Sequence, residues 1–220
     1  MIDNLFPRIH KEGYKFLAIS IIATFIVWLF FGNLSLIFIL ISVWVYYFFR
    51  DPERVSIGDE NYFVSPADGV VSMITETNGP IELGLEKLKF QRVSIFMNVF
   101  NCHVNRTPIS GTIDDIFYKP GKFLNASLDK ASEENERNYY KITSANNNEQ
   151  IIVVQIAGLI ARRIVSDVSK NQKLTQGERL GIIRFGSRVD LYLKDKKILV
   201  KVGQNVMAGE SLIAYNESGK

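Results

Sequence analysis

Apolar and polar positions divide this chain into two unlike parts. From Phe16 to Phe49 no residue is charged, and the run FLAISIIATFIVWLFFGNLSLIFILISVWVYYFF is almost wholly apolar. From Asn61 onward the apolar positions come in short runs, many of period two, broken by Gly, Pro, Asn and Asp. The first pattern predicts helix in a membrane; the second predicts β-strands joined by turns.

A single helix over the apolar run would be about 51 Å long, against a hydrocarbon core of about 30 Å. Gly32–Asn33 offers a break. The expected element is a helical hairpin, spanning or re-entrant, with arms of about 16 residues each. Trp44, Tyr46 and Tyr47 lie near its exit, where aromatic side chains meet a membrane interface. A secretory signal has a shorter apolar stretch followed by a small-x-small cleavage site, and that pattern is missing here. Arg8, Lys11 and Lys15 flank the entry, and Arg50 and Arg54 the exit. An even number of crossings puts both flanks on one side, which the positive-inside rule makes cytoplasmic. Pro52 stops the helix. The expected division is a membrane-anchoring helical hairpin over 1–50 and a soluble domain over 51–220, facing the cytoplasm from the cell (inner) membrane.

Within the second part, YFVSPADGVVSMITE reads as two extended runs around a turn at 65–69, and QRVSIFMNVF alternates Val93, Ile95, Met97 and Val99 on one face. GTIDDIFYKPGKF is a strand ending in a Pro120–Gly121 turn. Residues 126–150 are polar and are expected to form a long loop or a frayed helix. IIVVQIAGLIARRIV reads as a buried strand turning at Gly158 into a short helix with Arg162 and Arg163. The stretch LGIIRFGSRVDLYL gives two apolar halves with a polar kink between them. The tail ILVKVGQNVMAGESLIAY reads as three short strands separated by turns. PADGVVSMI and VGQNVMAGESLIAY look alike, as do the two halves of biotinyl- and lipoyl-type modules. The expected fold class is therefore mainly β, a β-sandwich of the barrel-sandwich kind with few short helices, behind an α-helical hairpin. No Met-Lys-Met or Asp-Lys-Ala tip is present to carry a cofactor, so that likeness is architectural only.

Bulk numbers add exclusions. The 220 residues are 47% hydrophobic and carry a net charge of +3, too small a surplus to point to nucleic acid. One cysteine, Cys102, excludes an internal disulfide, and one Cys with two His makes no familiar zinc site. No metal is expected.

Candidate chemistry centres on Gly186–Ser187, the one Gly-Ser step in the chain. A small residue followed by a hydroxyl at a kink is either a turn or bulge, or a peptide bond open to attack by the Ser hydroxyl. His103 is the one histidine of the soluble part. It is either structural or a base for Ser187, with Asp68 either a turn former or the group that orients the imidazole. Arg106, Arg162, Arg163 and Arg188 are guanidinium forks suited to phosphate or carboxylate, each equally able to be a surface or ion-pair residue.

The strings SPADG (65–69), CHVNRTP (102–108), KPGKFLNASLDKASEENERN (119–138), AGLIARRIV (157–165) and RFGSRVDLYL (184–193) resemble, in order, the short (type A) phosphatidylserine decarboxylase proenzymes. The resemblance spans nearly the whole soluble part. It implies a pyruvoyl-dependent lyase of phospholipid synthesis that makes phosphatidylethanolamine. The chain would cut itself between Gly186 and Ser187 into a β chain of 1–186 and an α chain of 187–220, which stay together as a heterodimer; a higher oligomer is left open. Ser187 would become the pyruvoyl group, the sole cofactor, whose ketone condenses with the substrate amine as a Schiff base. His103 and Asp68 would assist, and the four arginines would bind substrate. Longer relatives carry two histidines three residues apart where this chain has His103 and Arg106. His103 is therefore left as cleavage base, decarboxylation acid, or both. Longer relatives also have Leu-Gly-Ser-Thr where this chain has Phe185-Gly186-Ser187-Arg188. Two other classes compete: a non-enzymatic membrane-anchored adaptor or carrier-like module, and a Ser hydrolase of Ser187, His103 and Asp68, which lacks a Gly-x-Ser-x-Gly elbow.

Overall fold

The computed structural model describes residues 7–126, 133–146, 149–159, 163–184 and 187–216. The apolar run forms helix α1 (Gly13–Phe31) and helix α2 (Ser35–Phe48), joined by one 3-10 turn at Gly32–Leu34. Gly32 has φ +51° and ψ −114°, a conformation that side chains with a Cβ resist, so the expected break falls where glycine permits it. The arms are folded side by side. The Thr24 and Ser42 hydroxyls meet across them at 3.1 Å, and Ile9 pairs with Arg50 at their base. At 1.5 Å per residue the arms are about 28 and 21 Å long. Their outward faces, including Phe25, Trp28, Phe30 and Leu40, are exposed.

The remainder is β-structure. In chain order the strands are β1 (Tyr62–Val64), β2 (Gly69–Asn78), β3 (Lys89–Met97), β4 (Val104–Arg106), β5 (Gly111–Lys119), β6 (Arg137–Ser144) and β7 (Gln150–Ala157). They continue as β8 (Arg163–Ser166), β9 (Lys173–Leu174), β10 (Arg179–Arg184), β11 (Ser187–Leu193), β12 (Lys197–Ile198), β13 (Asn205–Val206) and β14 (Leu212–Tyr215). Eight strands make one curled antiparallel sheet in the order β13-β2-β3-β11-β7-β6-β5-β9, flanked by three-stranded sheets β1-β14-β12 and β4-β10-β8. All three sheets contribute to one core, with Phe63, Val71, Ile95, Ile142, Val153, Ile183, Leu191 and Ile213 buried together.

Two sequence expectations need correction. Residues 126–150 are not all loop: Tyr140 and Ile142 face the main core, and Arg137–Ser144 pairs with both β5 and β7. Cross-strand partners supplied the burial that the local polar composition concealed. The helix expected after Gly158 is also absent at Arg163, which opens strand β8; Arg162 lies outside the described residues. The look-alike pieces prove to be neighbours, since Val206 of β13 pairs with Gly69 of β2.

A linker from the hairpin is locked down by charge. Buried Arg106 donates to the carbonyls of Gly177 (2.7 Å) and Pro52 (2.8 Å) and faces Asp51 at 3.3 Å, while Arg179 holds the other Asp51 oxygen at 2.6 Å. Loss of hydration on burial lowers the Arg106 pKa from its ordinary value.

Candidate active site

Strand β10 ends at Arg184 in one sheet, and β11 begins at Ser187 in another. The chain thus changes sheets across the step singled out in the sequence. Phe185 and Gly186, the cleavage-site glycine, lie outside the described residues. Ser187 opens the strand at the middle of the eight-stranded sheet, opposite Met97 of β3 and Ala157 of β7. Directly opposed residues share a face, and Met97 and Ala157 belong to the main core. Ser187 therefore points inward. It is 0% exposed, and its Oγ has no hydrogen-bond partner among the described residues.

His103 is reached from the other sheet. It precedes β4, and its carbonyl accepts from the Ile183 N–H at 3.3 Å, four residues before Ser187. The ring is fully buried. Its Nδ1 lies 3.0 Å from the Asn101 carbonyl oxygen, which can only accept, so Nδ1 carries the proton. Nε2 is left with a free lone pair and no partner among the described residues. Burial pushes the imidazole pKa down to about 3, with nearby Arg50 acting in the same direction and the Asn101 bond opposing both. His103 is thus neutral at ordinary pH: its Nε2 lone pair is free to accept but is a weak base, and the ring is a proton donor only after it has taken a proton up.

Sequence reasoning did not anticipate what holds this ring. Phe48, the last residue of α2, packs on His103 with centroids 4.2 Å apart and planes at 30°. Next to it, the Cys102 thiol donates to the Arg50 carbonyl at 3.2 Å, and the Arg50 guanidinium donates to the Phe100 carbonyl at 3.0 Å. Burial raises the Cys102 pKa to about 11, leaving it a neutral packing group. The end of the hairpin is therefore one wall of the site.

A second unanticipated feature is a buried polar row on the face that Ser187 shares. Tyr140 donates to Gln155 Oε1 at 2.9 Å, Gln155 Nε2 donates to Asn105 Oδ1 at 2.8 Å, and Asn105 Nδ2 lies 3.5 Å from the sulfur of Met97. Gln155, a lone amide in the run IIVVQIA, was the available signal: a polar side chain inside a buried strand calls for partners.

The other sequence candidates are placed elsewhere. Asp68 does form part of a turn, but its carboxylate is taken by Arg54 (2.9 Å) and by the Ala208 N–H (2.8 Å). No hydrogen bond joins it to His103 among the described residues. The expected orienting role falls to the Asn101 carbonyl, because the residue after next along a turn is nearer than another strand's carboxylate. Arg188 is 2% exposed and grips Asp190 with two bonds of 2.7 Å. It stands opposite Phe96 and Ile156, on the face of β11 away from Ser187, because neighbours in a strand point to opposite sides. Arg106 is the structural clamp described above. Of the four arginines expected to bind substrate, Arg163 alone is both described and exposed.

Fold and site together define a β-domain carried on an apolar helical hairpin, with an unpartnered serine hydroxyl and a neutral imidazole buried where the chain crosses between sheets. The comparisons name the class more closely: the family model described as phosphatidylserine decarboxylase matches residues 41–214. The chain belongs to the phosphatidylserine decarboxylase family. A phosphatidylserine decarboxylase proenzyme of Pelagibacter ubique is 65% identical, over 97% of this chain and 99% of its own length. Proenzymes of the same description from Ruegeria pomeroyi and Cereibacter sphaeroides are 52% and 51% identical, over 97% of this chain and 98% and 92% of theirs.

Proposed function

We propose that this chain is a membrane-anchored proenzyme that cuts itself at Ser187 and then decarboxylates phosphatidylserine to phosphatidylethanolamine. The carrying observation is that Ser187 Oγ and His103 Nε2, on either side of the point where the chain changes sheets, are two of the eight buried side-chain atoms without a hydrogen-bond partner among the described residues. Leaving a buried polar atom unsatisfied costs about 1–3 kcal/mol, a cost consistent with groups kept free for chemistry.

His103 Nε2 takes the Ser187 proton as Oγ adds to the Gly186 carbonyl carbon. The peptide C–N bond breaks and an ester forms, and the proton held by the imidazole passes to the freed nitrogen. Elimination then breaks the Cβ–Oγ bond: the Cα proton leaves, Gly186 departs as the carboxylate end of the 1–186 chain, and residue 187 is left unsaturated. Water replaces its nitrogen, ammonia is released, and a pyruvoyl group caps the 187–220 chain. Ser187 suits this conversion, since the ketone would sit buried at the start of a strand, with no competing side-chain hydrogen bond among the described residues. Once formed, the group supplies an electrophilic carbonyl that takes up the substrate amine and accepts the electron pair released with carbon dioxide. The neutral His103 then holds or returns a proton at Nε2, and the Phe48 ring and core side chains exclude water from it.

The hairpin is proposed to enter the inner membrane from the cytoplasmic side and return, with arms short enough for a re-entrant course. The division at about residue 50 follows, with Asp51 clamped to the β-domain. Pairing of the look-alike segments through β2 and β13 supports a barrel-sandwich architecture for that domain.

Intact mass tests the proposal. The purified protein should give two chains, the smaller beginning with a pyruvoyl cap in place of Ser187. Ser187→Ala should give one uncut, inactive chain. A single uncut chain that still decarboxylates phosphatidylserine would overturn it.

A further inference from the structure

Beside the root of α1 lies a cleft of about 650 Å³, between the helix and the β8 edge of the β4-β10-β8 sheet. Among the described residues, four cations line it: Lys11 and Lys15 from the helix side, Arg163 from β8 and Arg184 from β10. Two are already compensated. Lys11 meets Asp167 at 2.7 Å, and Arg184 is paired with Glu12. Lys15 and Arg163 have no acidic partner among the described residues, and both are exposed. Arg163 and Arg184 are cross-strand partners, and of the two only Arg184 has a carboxylate partner among the described residues. Phe16, Ile164 and Val165 also line it. Phe16 in turn stacks on Phe49 at 5.2 Å.

The position matters as much as the charge. Lys15 is the last charged residue before the apolar run, so the cleft opens where hydrocarbon gives way to headgroups. An anion at that depth is a lipid phosphodiester. We infer that this cleft binds the phosphodiester of a glycerophospholipid, with Lys15 and the Arg163 fork on the phosphate and Phe16 against the glycerol and the first acyl carbons. The inference rests on the hairpin lying in a membrane, and not on the chemistry at Ser187. Two lipids could supply that phosphate: the substrate itself, or an anionic neighbour in the bilayer.

The test uses the full chain in neutral detergent, with bound lipid counted by native mass spectrometry. Phosphatidylglycerol is the probe and dioleoylglycerol, which lacks the phosphate, the control. Lys15→Gln/Arg163→Gln should weaken phosphatidylglycerol binding by about thirtyfold, each of the two basic residues near an anionic surface contributing on the order of 1 kcal/mol. Dioleoylglycerol binding should not change, and the charge-keeping pair Lys15→Arg/Arg163→Lys should bind as the parent does. Equal phosphatidylglycerol affinity in the parent and the Gln double variant overturns the inference. The same assay on the uncut Ser187→Ala chain reads the cleft without any activity, so failure of the decarboxylase proposal would not be mistaken for failure here. A second arm identifies the source. With soluble dihexanoyl phosphatidylserine, a KM raised about tenfold in the Gln double variant assigns the cleft to the substrate's own phosphate. An unchanged KM alongside weakened phosphatidylglycerol binding assigns it to a neighbouring bilayer lipid.

Discussion

At the scale of single residues, the environment of His103 settles what the ring can do. Its Nδ1 proton is committed to Asn101 and burial lowers its pKa to about 3, so Nε2 stays a base throughout the neutral range. The rate of self-cleavage should therefore change less than twofold, through this group, between pH 8 and pH 5. A histidine titrating near 6.5 would lose about thirtyfold over the same interval. Time courses of chain cutting after refolding at each pH would separate the two. His103→Gln keeps a donor for the Asn101 carbonyl but removes the base, and should slow cutting by about 10²–10⁴-fold. Stability moves with the same shift. Because the folded pKa lies below the unfolded one, the contribution of neutral His103 is fully present above about pH 6.5 and is lost as pH falls towards 3. Ser187 and His103 could be singled out from the sequence as candidates. That Asp68 answers to Arg54 and Arg188 to Asp190 could not be read there, because a carboxylate's nearest cation is a property of three dimensions.

Among elements, the hairpin does more than present an apolar surface. Its last turn places Phe48 on the His103 ring, and Arg50 binds the loop before it at two points. Phe48→Leu stays apolar but loses the flat ring and part of its volume. It should slow self-cleavage by about tenfold while costing about 1–3 kcal/mol of stability, as a large-to-small core change does. Cutting half-times set against thermal midpoints would check this; unchanged half-times would show that Phe48 merely fills space. The apolar run and its break at Gly32 could be read directly, since length, lack of charge and glycine are local. Strand β6 could not, because Tyr140 and Ile142 become core only when β5 and β7 lie on either side.

For the whole molecule, the topology dictates what a cut at 186/187 would leave. Residues 187–216 contribute β11, set between β3 and β7, together with β13 beside β2 and β14 between β1 and β12. The two chains would share two sheets and one core, so no separation is open to them short of unfolding. They should co-migrate in gel filtration in neutral detergent and part only in denaturant; chains separating under native conditions would contradict the topology.

The sequence by itself determined the apolar hairpin, the β-rich character of the rest, the Gly-Ser step and its family, because each rests on composition or on short strings of neighbours. Tertiary structure decided which polar groups were left free: the buried Ser187 hydroxyl and the His103 lone pair, the arginines consumed in ion pairs, and the cleft where Lys15 and Arg163 remain uncompensated. The physical reason is that a hydrogen bond or ion pair depends on which distant strands lie within about 3 Å. At Ser187 those strands are β3 and β7, remote in sequence and adjacent in the sheet.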